Sequence, residues 1–196
     1  MKEHVIIFVE GETEKVFYEH LIRYYKEHST TSLLSVQVHN IKGFGNFKNK
    51  MISKLKNNII PNIAKKQDRI KSVCCCYDTD VFDYAAIPPI NWKEIKKEVQ
   101  NLKVGEFVEV KANKMLEDWF LSDIDGLCNF LRLKKIPSLS GKDGNTKMKN
   151  LFKLDNKIYK KGTYCYKFID NLDIPKIRNT HSAQLSKLEA TIAFKQ

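Results

Sequence analysis

Acidic residues at the ends of two apolar runs are the part of this 196-residue sequence best suited to chemistry. In "IIFVEGETEK" Glu10 closes the first run and Glu12 and Glu14 follow it; in "VCCCYDTD" Asp78 closes another, with Asp80 two residues on. If a helix starts after Gly11, Glu14 lies one turn beyond Glu10 and near it, while Glu12 falls on another face. Asp78 and Asp80 point the same way as long as the backbone between them stays extended. Carboxylates gathered like this repel one another, and a hard divalent cation, Mg2+ or Mn2+, is the natural occupant. Taken singly, Glu12 and Glu14 are also first-turn acids that a helix dipole favours, and Asp78, Asp80 and Asp83 are also turn formers after a strand. Their joint placement at strand ends favours the metal reading. Glu12 is then the bland member, expected to tolerate alanine.

Such placement requires a sheet whose strands end at these acids. "HVIIFVE" and "IKSVCCCYD" are short, largely apolar runs without alternation, as in parallel strands covered on both faces. "LLSVQVHNI" alternates and "GEFVEVKA" is a further strand. Between them, Phe17, Leu21 and Tyr24 or Tyr25 recur at helical spacing. Phe47, Met51, Leu55, Ile59 and Ile63 form a second stripe, and Trp92, Ile95, Val99 and Leu102 a third. The order βαβαβαβ predicts an α/β fold with a mostly parallel sheet flanked by helices, and ligands bind such sheets beyond the carboxyl ends of the strands. After Asn113, "KMLEDWFLSDIDGLCNFLRL" reads as helical, "IPSLSGKDGNTKMKN" as a mobile basic loop, and Leu185, Leu188 and Ile192 mark a C-terminal helix packed on the sheet. Pro88 and Pro89 close the loop after the third strand.

The chain carries 34 Lys and Arg against 23 Asp and Glu, a net charge of +11. Nine basic residues against one acid lie between Lys42 and Lys71, and ten against two between Arg132 and Lys161. Basic blocks flanking an acidic motif fit a polyanionic partner. No apolar run approaches the ~20 residues of a membrane span, and the N-terminus lacks the features of a signal peptide, so no membrane association and a cytoplasmic location are expected. Cys74, Cys75, Cys76, Cys128 and Cys165 form neither CxxC pairs nor an even disulfide framework, and the five histidines are scattered. Reduced, buried cysteines without structural zinc are expected.

"VEGETEKVFY" followed by "YDTD" resembles the TOPRIM domain of topoisomerases, primases, RecR-like proteins and OLD-family nucleases, whose signature is a glutamate after strand one and Asp-x-Asp after strand three. Glu10 with Glu14 is more similar to OLD-type nucleases and to small stand-alone TOPRIM-like proteins of bacterial defence loci. "MLEDWFLSD" is similar to a segment after the fourth strand of those small proteins, Glu117 matching a further acidic position. The likeness covers residues 1 to about 125 closely and "YKFIDNLDIPKIRNTHSAQLSKLE" more weakly.

The resemblance implies a TOPRIM-like (Rossmann-like) catalytic core over residues 1–125 and a basic loop with a mostly helical C-terminal extension over 126–196, packed on the core. It implies a Mg2+- or Mn2+-dependent phosphodiesterase (nuclease), acting on DNA ahead of RNA, in anti-phage defence. One or two ions would be held by Glu10, Glu14, Asp78, Asp80 and Glu117, with Glu10 alternatively the general base. OLD nucleases also use a late lysine, for which Lys142 and Lys147 are the candidates, and a regulatory partner such as an ATPase is implied. Topoisomerases carry a third acid two residues past Asp80, where this chain has Phe82, so hydrolysis is expected rather than strand passage. The competing expectation is a non-catalytic nucleic-acid-binding or recombination-mediator module, against which the retained carboxylates speak.

Overall fold

The computed structural model describes residues 1–82 and 90–196; Asp83, Pro88 and Pro89 lie outside the described residues. Four strands, Glu3–Val9 (β1), Ser35–Asn40 (β2), Arg69–Asp78 (β3) and Glu106–Ala112 (β4), form one sheet in the order β2-β1-β3-β4. Every pairing is parallel. The register sets Val9 between Asn40 and Cys76, and Asp78 beside Ala112, so the strands end together and Glu10 emerges next to the end of β3.

Both faces of the sheet are covered, which is why β1 and β3 read as uninterrupted apolar runs. Val5, Ile7, Val9, Cys74 and Cys76 face one hydrophobic cluster, whereas Ile6, Phe8, Val73, Cys75 and Tyr77 face the other. The three consecutive cysteines thus divide between the two faces by the period of a strand. All five cysteines are free and buried, and burial pushes the Cys74 thiol up to about 12, as small core side chains rather than nucleophiles.

The first face is packed by Glu12–His28 (α1) through Phe17, Tyr18, Leu21 and Tyr25. The second is packed by Asn49–Lys54 (α2) and Ile60–Ala64 (α3), joined by a π-helical turn at Leu55–Ile59, and by Trp92–Asn101 (α4). The π turn has a reason in the sequence. Residues four apart advance ~40° beyond one α-helical turn, so a stripe at Phe47, Met51, Leu55, Ile59 and Ile63 would wind off the sheet along a straight α-helix. Local underwinding keeps all five buried.

The remaining elements are Leu116–Leu121 (α5), Ile124–Phe130 (α6), Gly144–Lys153 (α7), Tyr166–Ile169 (α8), Ile174–Thr180 (α9) and Ser182–Ile192 (α10). They join α1 in a single cluster: Trp119, Phe120, Phe152, Phe168, Leu185, Leu188 and Ile192 are buried with β1 and β3 residues. Residues 126–196 therefore share the core of residues 1–125. One expectation is corrected. The segment read as a mobile basic loop turns helical at Gly144, because the Asp143 carboxylate accepts the Thr146 N–H at 2.7 Å as an N-cap and Met148, Leu151 and Phe152 are buried at helical spacing.

Gly105 brings the chain into β4 with φ +36°, and a Cβ there would stand 1.7 Å from the Lys71 carbonyl oxygen of β3. Replacing Gly105 by alanine is expected to lower unfolding free energy by at least about 2 kcal/mol in urea titration. Gly45→Ala, with nothing within 4 Å of the added Cβ, should stay within about 0.5 kcal/mol of the parent. Equal effects at the two positions would refute this account of how β4 is seated.

Candidate metal centre

Glu10 follows β1 directly, and its carboxylate accepts the Asp78 N–H at 2.8 Å, tying the end of β1 to the end of β3. Gly11 leads into α1 with extended backbone, so a turn needing glycine is not its purpose. A Cβ at Gly11 would meet the Glu14 carboxylate oxygen at 2.7 Å, and the absent side chain lets that carboxylate fold back toward Glu10.

The end of β3 is fastened to the turn after β4. Thr79 N–H donates to the Ala112 carbonyl at 3.2 Å, Asp80 N–H to the Lys114 carbonyl at 2.9 Å, and Lys114 N–H to Thr79 Oγ1 at 2.8 Å. Asp78 Oδ1 accepts the Leu116 N–H at 3.0 Å. The extended stretch ends at Asp78, the chain bends at Thr79, and a 3-10 turn over Asp80–Phe82 follows; the Asp80 charge nonetheless reaches both Glu10 and Asp78. Glu117, in the first turn of α5, is 1% exposed. Its Oε1 accepts the Tyr159 hydroxyl at 2.9 Å and pairs with Lys161 Nζ at 2.7 Å; its Oε2 is buried without a partner.

These five acids act on one another. Burial raises Asp78 well above the usual carboxylate range, and the charges of Glu10, Glu14, Glu117 and Asp80 raise it further. Burial pushes Glu10 up to about 7; the Asp78 N–H opposes that, and Glu14 and Asp80 add to it. Glu14 is raised mainly by burial, against the pull of backbone N–H groups and Lys161 and with a push from Glu117. For Lys161, burial opposes the charged form, but Glu117, Glu14 and Asp78 outweigh it and the pKa rises.

The structure thus brings Glu10, Glu14, Asp78, Asp80 and Glu117 within electrostatic reach of one another. The two late lysines behave differently: Lys142 is exposed beside Asp143, and the charge of Lys147 acts on Asp118. The lysine that enters the cluster is Lys161, which the sequence reading did not single out. Its contact with Glu117 spans 44 residues, the two pairing across the fold without a local pattern. Glu12 is not idle either. Its Oε2 accepts the Asn40 side-chain N–H at 3.0 Å, and Asn40 Oδ1 accepts the Lys42 N–H at 2.6 Å, in a turn whose Gly43 N–H donates to the Glu10 carbonyl at 2.7 Å.

Comparison with family models, characterised proteins and solved structures found no match to this chain.

The donor set has the chemistry a hard divalent cation would take: it is all carboxylate oxygen, with Asp78 and Glu117 buried and Glu10, Glu14 and Asp80 half-buried, it is repulsive, and it includes the unpartnered Glu117 Oε2. Among the described residues no three His, Cys, Asp or Glu side chains already close into a ligand cage. Several oxygens are instead engaged by backbone N–H groups, Tyr159 and Lys161.

The raised Glu10 carries a pH consequence. Its folded pKa near 7 exceeds its value of 4.5 in a free chain, so the folded state binds the proton more tightly and stability falls as pH rises from 4.5 to about 7. In EDTA, denaturant titration should show a loss of up to about 3 kcal/mol across that window. Glu10→Gln should shrink the loss, and millimolar Mn2+ should offset it. A flat profile in EDTA would refute the raised pKa assigned to Glu10.

Proposed function

We propose that the protein is a metal-dependent phosphodiesterase of the TOPRIM type that cuts nucleic acid, DNA ahead of RNA, within the cytoplasm in anti-phage defence. One observation carries the reading: acids from both strand ends and from α5 gather at the carboxyl edge of a parallel sheet, Asp78 and Glu117 buried among them, with a Glu117 oxygen left unpartnered. No helix of the described residues is long and apolar enough to cross a membrane.

Asp78, Asp80, Glu14 and Glu117 would hold one or two Mg2+ or Mn2+ ions, with Glu10 as a further ligand or as the base. When bound, such ions activate water and stabilise the leaving oxygen of a phosphodiester. The chain's own groups do the rest. Glu10, fixed at the end of β1 by the Asp78 N–H, is placed to accept a proton from water. Lys161, held at the cluster by Glu117, offsets negative charge on the phosphate under attack. Lys15, Lys42 and Lys54 crowd one another beside the end of β2, burial and the two neighbouring charges lowering the Lys54 pKa, and so offer a seat for backbone phosphates. A regulatory partner such as an ATPase belongs to the same reading.

Purified protein incubated with labelled single-stranded and duplex DNA and RNA should cut at least one of them with Mn2+ and none in EDTA. Glu10→Ala and Asp78→Ala should each reduce cutting by at least about 100-fold. Lys161→Ala should reduce it by roughly 10- to 100-fold, more than Lys142→Ala or Lys147→Ala does. Cutting that survives both acid substitutions overturns the proposal; metal-independent binding with no cutting favours the recombination-mediator or binding-module reading.

A further inference from the structure

Between α7 and the 3-10 turn at Thr163–Cys165, residues 157–161 run as an irregular strap across the acid cluster. Tyr159 is buried against Glu117 and the half-exposed Lys161 pairs with the same carboxylate, while Ile158 and Lys160 are exposed without reaching it. The Gly162 N–H donates to Thr13 Oγ1 at 2.8 Å and pins the strap to α1. Its outer side borders a cavity of about 440 Å3 lined by Phe130, Lys157, Ile158, Lys160, Tyr164 and Lys167, among others.

That surface is unusual in exposing large apolar groups among cations. Ile158 is 76% exposed and Tyr164 63%, with no acid among the described residues that line the cavity. Lys160 Nζ stands 5.7 Å from the Tyr164 ring centre and Lys157 Nζ 5.2 Å from that of Phe130. From Lys153 to Lys167 the chain has five lysines and one acid, Asp155; Lys157 pairs with Asp155 and Lys161 with Glu117, which leaves Lys160 and Lys167 as the exposed cations beside Tyr164. An exposed aromatic ring, Tyr164, set among ammonium groups matches a polyanion that also carries flat apolar rings, which describes an unpaired nucleic-acid strand. A duplex hides its ring faces and would leave Tyr164 unused.

We propose that the outer face of the strap is a stacking platform for single-stranded nucleic acid. An unpaired base lies on Tyr164, and the flanking phosphates lie on Lys160 and Lys167. The inference rests on the hydrolytic reading for its purpose, since the same strap carries Lys161 and Tyr159 to the acids, but not for its test. It makes a single strand, or the single-stranded part of a structured one, the preferred substrate.

Fluorescence anisotropy in EDTA measures the binding without any cutting. A labelled oligothymidylate should bind the wild-type chain, and the same backbone with abasic sites should bind about 5- to 100-fold more weakly. Tyr164→Ala should remove that difference while Tyr164→Phe keeps it, and Lys160→Ala with Lys167→Ala should flatten the salt dependence by about one charge for each lysine. Tyr164 is exposed, so its truncation leaves the core intact, as an unchanged circular dichroism melt would register. Equal discrimination by wild type and Tyr164→Ala overturns the platform, as does tighter binding of a duplex than of its single strand, or no binding at all. Binding with the predicted discrimination but no cutting in Mn2+ upholds the platform and removes the hydrolytic reading. Cutting of a strand whose binding ignores Tyr164 does the reverse.

Discussion

Repulsion among buried and half-buried carboxylates at one edge of the sheet is the constraint to which much of the fold answers. Asp78 is buried where Glu10, Glu14, Glu117 and Asp80 all raise its pKa, and burial together with such neighbours holds Glu10 near 7. Left to themselves, such groups would protonate or turn to solvent. Here they are held in place by backbone. The Asp78 N–H binds Glu10, the Leu116 N–H binds Asp78, and a set of bonds across Thr79, Asp80 and Lys114 prevents the end of β3 from swinging away from the end of β4. A parallel sheet suits this arrangement because its register ends the strands together.

Part of the compensation comes from the far end of the sequence. Lys161 sets one ammonium against the acids, and Tyr159 donates to the same Glu117 oxygen, which leaves the other oxygen uncompensated. Residues 126–196 are thus not an appendage to a self-contained site. They bury Phe152, Phe168, Leu185 and Ile192 in the cluster that covers β1, and they carry the cation that faces the acids of β1, β3 and α5. Tying the site to the C-terminal segment means that whatever moves the strap also moves the charge balance at Glu117.

What was legible in the sequence follows from the range of the interactions. The four strands and the helices between them were readable because burial on two faces, or along one stripe, writes itself into nearby residues. Glu10, Asp78 and Asp80 were readable because they sit at strand ends. The π turn was foreshadowed by a stripe with a period of four, wider than an α-helix holds. The α7 helix was obscured by its Gly, Ser and Lys content, although Asp143 followed by Met148, Leu151 and Phe152 was an available signal. Lys161 was not legible, since nothing local distinguishes it from Lys142 or Lys147; only the folded chain sets it on Glu117. The role of Glu12 was hidden for the same reason, because its partner Asn40 lies on another strand.

The account stands on a divalent cation settling among these acids, and anomalous diffraction from crystals grown with Mn2+ tests that most directly. A manganese peak bounded by Asp78, Glu117 and Glu10 or Glu14, with Glu117 Oε2 turned to the ion, is the predicted result. A map with no peak there at saturating Mn2+, or with the ion on surface residues and the Glu117–Lys161 pair unchanged, would contradict it.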